Sequence, residues 1–192
     1  MPFTKSFIVV AILLGLTSTV QAASGDADGT YTVTVTRLEF RNATTGDYLT
    51  MFEGSRGINI ASASAGATAA SLASGGGIPQ GTYDQVRVTL DGTLSVRGYV
   101  NSDTAPVTFF TNGGTDAAAF STNVAGINTP GATYAIASFT IPAAQRVFTQ
   151  NVSFTIGSNV PTVRVTFDTS GVLTSGGGVP SLGAPSVTMT AV

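Results

Sequence analysis

Apolar residues recur at every second position along most of this chain, and the positions between them are largely threonine, serine and asparagine. A period of two places successive side chains on opposite faces of an extended strand, whereas a helix repeats every three to four residues. Strands are predicted at 30–41, 48–53, 57–61, 83–90, 93–100, 107–111, 132–141, 147–156, 162–168 and 186–191, each rich in Val, Ile, Thr, Phe or Tyr and bounded by Gly, Ser or Asn. No segment has a helical apolar stripe: 62–74 is rich in alanine but carries one large apolar residue, Leu72, so it reads as a loop with one helical turn at most. The stretch 170–185 has too much Gly and Pro for regular structure and reads as a loop returning the chain for a last strand. The expected fold is all-β, a single antiparallel β-sandwich of the Ig-like or transthyretin-like kind with about 8–10 strands.

Two places break the alternation. Tyr31, Val33 and Val35 share one face of the opening strand, but Leu38 and Phe40 fall on the other, so the slip at Thr36-Arg37 requires a bulge, a bend or a change of partner. In VRVTLDGTLSV, Asp91-Gly92 reads as a hairpin turn. A two-residue turn would put Val86, Val88 and Leu90 on the opposite face from Leu94 and Val96. A three-residue loop or bulge is expected instead, pairing Leu90 with Leu94 and Val88 with Val96.

The first 22 residues follow a different rule. Lys5, an apolar run from Phe7 to Leu16, and small residues with Val20 and Ala22 before a cleavage point have the layout of a secretory signal peptide. The run is shorter than the roughly 20 residues a membrane-spanning helix needs. The reading is therefore a leader at 1–22, one domain at 23–192, and a secreted, extracellular or cell-surface location with no membrane span in the mature chain.

Composition narrows the chemistry further. Lys5 is the only lysine, so the mature chain has seven Arg against ten Asp plus Glu, a net charge near −3. Nucleic acid is a poor partner for so few cations, since several phosphates must be neutralised together. Cys and His are both absent, which removes disulfides, thiolate chemistry and the usual acid–base and zinc-binding side chain. With Lys gone as well, no base remains to activate a serine. The carboxylates Glu39, Glu53, Asp47, Asp84 and Asp168 fall beside turns or on the polar side of strands and read as solvated surface groups, so no catalytic residue is assigned. In GDADGTY, Asp26 and Asp28 with Gly29 are similar to the start of a calcium loop, without its later acidic ligand. Calcium through Asp26 and Asp28 is the only cofactor entertained. Tyr99, Phe109, Phe110 and Tyr134 could stack on sugar rings, although core packing explains most of them.

Three segments together resemble a known group: YTVTVTRLEFRNATTGDYLTM at the start, IPQGTYDQVRVTLDG in the middle, and VRVTFDTSGV with LGAPSVTMTAV at the end. They are similar to secreted bacterial and archaeal surface domains of unknown function with a carbohydrate-binding-like or transthyretin-like β-sandwich, often lipoproteins. Tyr48 stands in that family's second-strand motif. Pro79, Gly81, Tyr83, Val86, Arg87 and Val88 stand in its P-x-G-x-Y-x-x-[VI]-R-[VL] stretch, and Asp168 in its closing segment. The resemblance implies a surface location and a sandwich and leaves activity open. The lipid-attachment cysteine of such proteins is absent here.

Export without an anchor cysteine, a charged fraction of only 9% and the lack of catalytic residue types point to a non-enzymatic structural protein, a subunit of an extracellular filament or surface assembly. Copies would join by β-strand addition. The exchanged strand is expected to carry Tyr31, Val33, Val35, Leu38 and Phe40, or alternatively Val187 and Met189 of the C-terminal strand. The competing reading is a surface or periplasmic binding module for carbohydrate or another envelope component.

Overall fold

The computed structural model describes residues 7–8, 23–62, 73–74, 78–157, 163–183 and 186–191, and for 7–8, 23, 73–74, 163–168 and 186–191 it describes the backbone alone. The strands are β1 (Phe7–Ile8), β2 (Ala23–Gly25), β3 (Ala27–Asn42), β4 (Tyr48–Asn59), β5 (Ala73–Ser74), β6 (Gly81–Asn101), β7 (Thr108–Thr111), β8 (Phe120–Asn123), β9 (Ala137–Thr140), β10 (Val147–Ile156), β11 (Val163–Asp168), β12 (Leu173–Gly176), β13 (Val179–Leu182) and β14 (Ser186–Ala191). Two short 3-10 turns, Asp116–Ala119 and Ala143–Gln145, are the only helical elements described. The protein is all-β, with antiparallel sheets packed together as the expected sandwich requires. Among the described residues no helix is long and apolar enough to cross a membrane.

β6 is the axis of the large sheet. β3 runs antiparallel along the whole of one edge, while β10, β9 and β7 line up in succession along the other. β4 pairs with the far side of β3, and β8 with the far side of β7. A second sheet carries the antiparallel pair β11–β14, with β1 beside β11 and β5 beyond β1, and a third is built from β13, β12 and β2. Of the expected leader only Phe7–Ile8 is described; its other residues lie outside the described ones.

The expected hairpin at Asp91-Gly92 is not formed. Residues 81–101 are one strand, in which Leu90 pairs with Val35 and Leu94 with Val33 of β3, not with each other. The three residues between them bulge outward, with Asp91 and Thr93 exposed. Val86, Val88, Leu90, Leu94, Val96 and Val100 are all at even positions, so a straight strand already puts them on one buried face. The conflict of faces arose only from assuming a turn. Ile141 N–H donates to the Gly92 carbonyl and Leu90 N–H to that of Arg146, both at 2.8 Å. The guanidinium of Arg146 lies where a side chain at residue 92 would stand, with Nη2 2.9 Å from that position. Glycine is thus what lets the bulge be covered rather than become a turn.

The slip at Thr36-Arg37 is a bulge within a strand that keeps its partners. The register shifts between Val35 and Arg37 against both β4 and β6, and beyond it Leu38 pairs with Phe52 and Val88. The extra residue returns Leu38 and Phe40 to the face of Tyr31, Val33 and Val35, and all five side chains are buried. β6 repeats the device at Asp84, so that Tyr83 and Val86 both face the core. Phe40, Tyr83 and Phe154 then meet there, with ring centroids 5.2–5.9 Å apart. Such an aromatic trio adds geometric preference to the burial of large apolar area.

Three other expectations change. The segments 48–53 and 57–61 merge largely into the single strand β4. The segment 132–141 contracts to β9, and β8 arises where no strand was expected. The loop expected at 170–185 contains the hairpin β12–β13. Its turn residues Gly177 and Gly178 have φ of +62° and +77°, the left-handed pair a tight hairpin needs. Asp103 accepts their two N–H groups at 2.8 and 2.9 Å and the hydroxyl of buried Ser175 at 2.9 Å. Those backbone donors hold its carboxyl below the usual range. Of 62–74, residues 63–72 lie outside the described residues.

Candidate functional site

The outward face of the large sheet is a set of cross-strand rows, because residues paired across strands share a face. One row runs Glu53, Arg37, Thr89, Val147; the next Thr50, Glu39, Arg87, Thr149; the next Tyr48, Arg41, Gln85, Asn151. Charge is concentrated on the β4 side of these rows. Glu39, only 5% exposed, accepts from Arg87 Nε at 2.7 Å, and Arg37 lies 3.8 Å from its other oxygen. The Arg87 bond and the two nearby guanidinium charges hold the Glu39 carboxyl below its ordinary value despite its burial. Arg87 also lies over the Tyr48 ring, 3.7 Å from its centroid, while Tyr48 donates to Gln85 at 2.6 Å. Arg41 grips Asp84 through two bonds of 2.6 and 2.8 Å.

Two strands at opposite edges of this sheet, β4 and β10, differ in how they meet water. β4 reads YLTMFEGSRGIN, and its stretch 53–57, Glu-Gly-Ser-Arg-Gly, is exposed throughout. Charges and glycines there make it a poor template for another strand. β10 reads VFTQNVSFTI, without a charge, a proline or a glycine, and Val147 is 52% exposed. Among the described residues β10 is paired with β6 alone. Since Leu90 N–H bonds the Arg146 carbonyl, the alternation of an antiparallel ladder turns Phe148 and Gln150 toward β6. The N–H and C=O of Val147, Thr149 and Asn151 therefore point away from the sheet. A bulge between Asn151 and Phe154 ends this regular stretch.

A cleft of about 490 Å³ lies between Ser24–Asp28 and the end of β6, lined also by Tyr99, Asn101 and Asn128. Its walls are held by their own hydrogen bonds. Asn128, at φ +59°, bonds Asn101 through both its backbone N–H and its side chain, at 2.9 and 2.8 Å. Asp28 accepts from Arg97 and from the Tyr134 hydroxyl, both at 2.9 Å, and these bonds lower its pKa. Burial, with the Asp28 carboxylate beside it, pushes the Tyr134 hydroxyl up. Asp26 accepts from Gly171 N–H at 3.0 Å. The two carboxylates expected to bind calcium are therefore turned to protein partners, and no group of three or more His, Cys, Asp or Glu that could hold a metal occurs among the described residues.

The remaining expected site residues are distributed as follows. Tyr31, Val33, Val35, Leu38 and Phe40 lie in β3, paired on both sides by β4 and β6. Val187 and Met189 lie in β14 opposite Phe167 and Val165, and β14 is the outermost strand of its sheet. Phe109 and Phe110 are buried, whereas Tyr99 and Tyr134 are half-buried and meet edge to face at 6.2 Å. The lack of charge in β10 is visible in the sequence, but that this strand is paired on one side only among the described residues is not. No protein-family model matches the chain, and neither do any of the curated proteins or solved structures compared with it.

Proposed function

We propose that this protein is a non-enzymatic, secreted subunit of an extracellular filament or cell-surface assembly whose copies join by β-strand addition. The observation that supports this reading best is the uncharged outer edge of β10, where among the described residues the outward N–H and C=O groups of Val147, Thr149 and Asn151 have no strand partner, the kind of edge most β-proteins blunt. The buried position of β3 between two partners makes it an unfavourable strand to donate, since twelve residue pairs with β6 alone would be lost. β14, outermost in the sheet of β11 among the described residues, is the better terminal candidate and offers a second edge. Two different contacts per copy allow growth into an open polymer, where a single twofold contact stops at a dimer. Negative-stain microscopy and light scattering on the mature chain from residue 23 test the proposal: ordered assemblies are the expected result, and a monomer at all concentrations overturns it.

The cleft favours a second reading, a carbohydrate-binding module. Tyr99 offers a ring, and Asn101, Asn128 and Asp26 offer polar groups fixed by their own bonds, the mixture that sugar recognition uses. Titration with a panel of soluble polysaccharides is expected to show binding lost in Tyr99→Ala if this reading holds. No binding to any of them removes it.

A further inference from the structure

We infer that the β10 edge is a self-recognition surface, pairing antiparallel with β10 of a second copy about a twofold axis at Thr149. This rests on the assembly reading above and adds to it the edge, the partner and the register. The regular part of the edge ends at the bulge after Asn151, so Val147, Thr149 and Asn151 are the residues whose N–H and C=O groups face outward in order. Only one antiparallel register engages all three on both copies: Val147 with Asn151, Thr149 with Thr149, and Asn151 with Val147. It makes about six main-chain hydrogen bonds, where a slip of one pair in either direction makes about four. The edge is also compatible with its own copy electrostatically. No charged residue occurs from Val147 to Gly157, so apposing two copies places no like charges opposite each other. The nearest cation, Arg146, is drawn back onto the Gly92 bulge, where its Nε donates to the Ile141 carbonyl at 2.8 Å.

The register also accounts for the side chains. On the outward face the exposed Val147 would lie beside Asn151 of the second copy. On the core side half-buried Phe148 would lie opposite Gln150, which covers apolar surface that the monomer leaves in water. The two large sheets then become one continuous sheet through the joint. On the far side of each, the charged and glycine-broken edge of β4 stops the addition from repeating there.

The chain has no cysteine, so single-cysteine variants report this contact without interference. Paired residues in such a ladder have Cα atoms about 5.5 Å apart, within disulfide reach. Mild oxidation of T149C is expected to give a covalent dimer, and S55C, on the exposed part of β4, is expected to stay monomeric. T149P removes an outward N–H without touching a bond to β6, and T149K places two ammonium groups at the axis. Both are expected to weaken self-association at least tenfold in sedimentation equilibrium. If T149C does not cross-link, or both other variants associate as the wild type does, the inference fails while assembly through another contact such as β14 stands. A wild-type chain that is monomeric throughout overturns both.

Discussion

The outer strands β4 and β10 belong to one sheet, have similar lengths and are each paired on one side among the described residues, yet they present opposite surfaces to another strand. β4 exposes Glu53 and Arg56 beside Gly54 and Gly57; β10 exposes valine, threonine and asparagine. Across β3 and β6 the outer face carries the ion pairs of Glu39 with Arg37 and Arg87, and Arg87 stands directly beside Thr149, while β10 itself adds only valine, threonine and amide side chains to these rows. In a chain with so little charge, the few ionic groups of β4 are what distinguish its edge from that of β10.

The contrast predicts its own failures, beginning with the anchor of β10. Phe154 joins that strand to Phe40 and Tyr83 in the core, so Phe154→Ala is expected to cost about 3–5 kcal/mol in urea unfolding, with all of the fold lost together. A loss confined to β10 would show that the edge is a weakly attached flap. On the charged side, Glu39→Gln leaves Arg87 with a neutral partner in a nearly dry site and is expected to cost about 1–3 kcal/mol. Because the folded Glu39 carboxyl titrates below its ordinary value of 4.5, its contribution is complete above that value and disappears as pH falls through the lowered one. Wild-type stability attributable to this group should thus be level from pH 7 to about 5 and decline in more acid solution, and the decline should be smaller in Glu39→Gln. The smallest effect on folding is expected at the guarded edge. Glu53→Thr with Arg56→Thr should change stability by about 0.5 kcal/mol or less while raising self-association measured by light scattering. Unchanged association would mean that charge is not what keeps β4 single.

How much of this could be read in advance varies along the chain. The alternation in 30–41 and 147–156 located β3 and β10 well, because a half-buried strand must repeat every two residues whatever surrounds it. The slip at Thr36-Arg37 was visible for the same reason, though a bulge could not be told from a change of partner without the register. Asp91-Gly92 misled because its composition suits a tight turn; the decision was made by Arg146 and Ile141, about 50 residues away, which cover the bulge and accept or donate its hydrogen bonds. The glycines at 177 and 178 misled the other way. They looked like loop, and Asp103 fixes them as a hairpin turn.

The candidate site shows the same division. Asp26 and Asp28 look alike in sequence as paired hard ligands, yet each is satisfied by a distant donor, Gly171 for one and Arg97 with Tyr134 for the other. The absence of charge in β10 was printed in the sequence, but its meaning depended on which strand lay at the edge.

The sequence by itself determined the all-β character, the two-residue alternation along most strands and the scarcity of chemical groups, since all three follow from local period and composition. Tertiary structure alone decided that 81–101 is one strand, that β3 is interior, and that β10 is paired on one side only among the described residues, because pairing partners are set by contacts between residues far apart in the chain, and no local pattern encodes them.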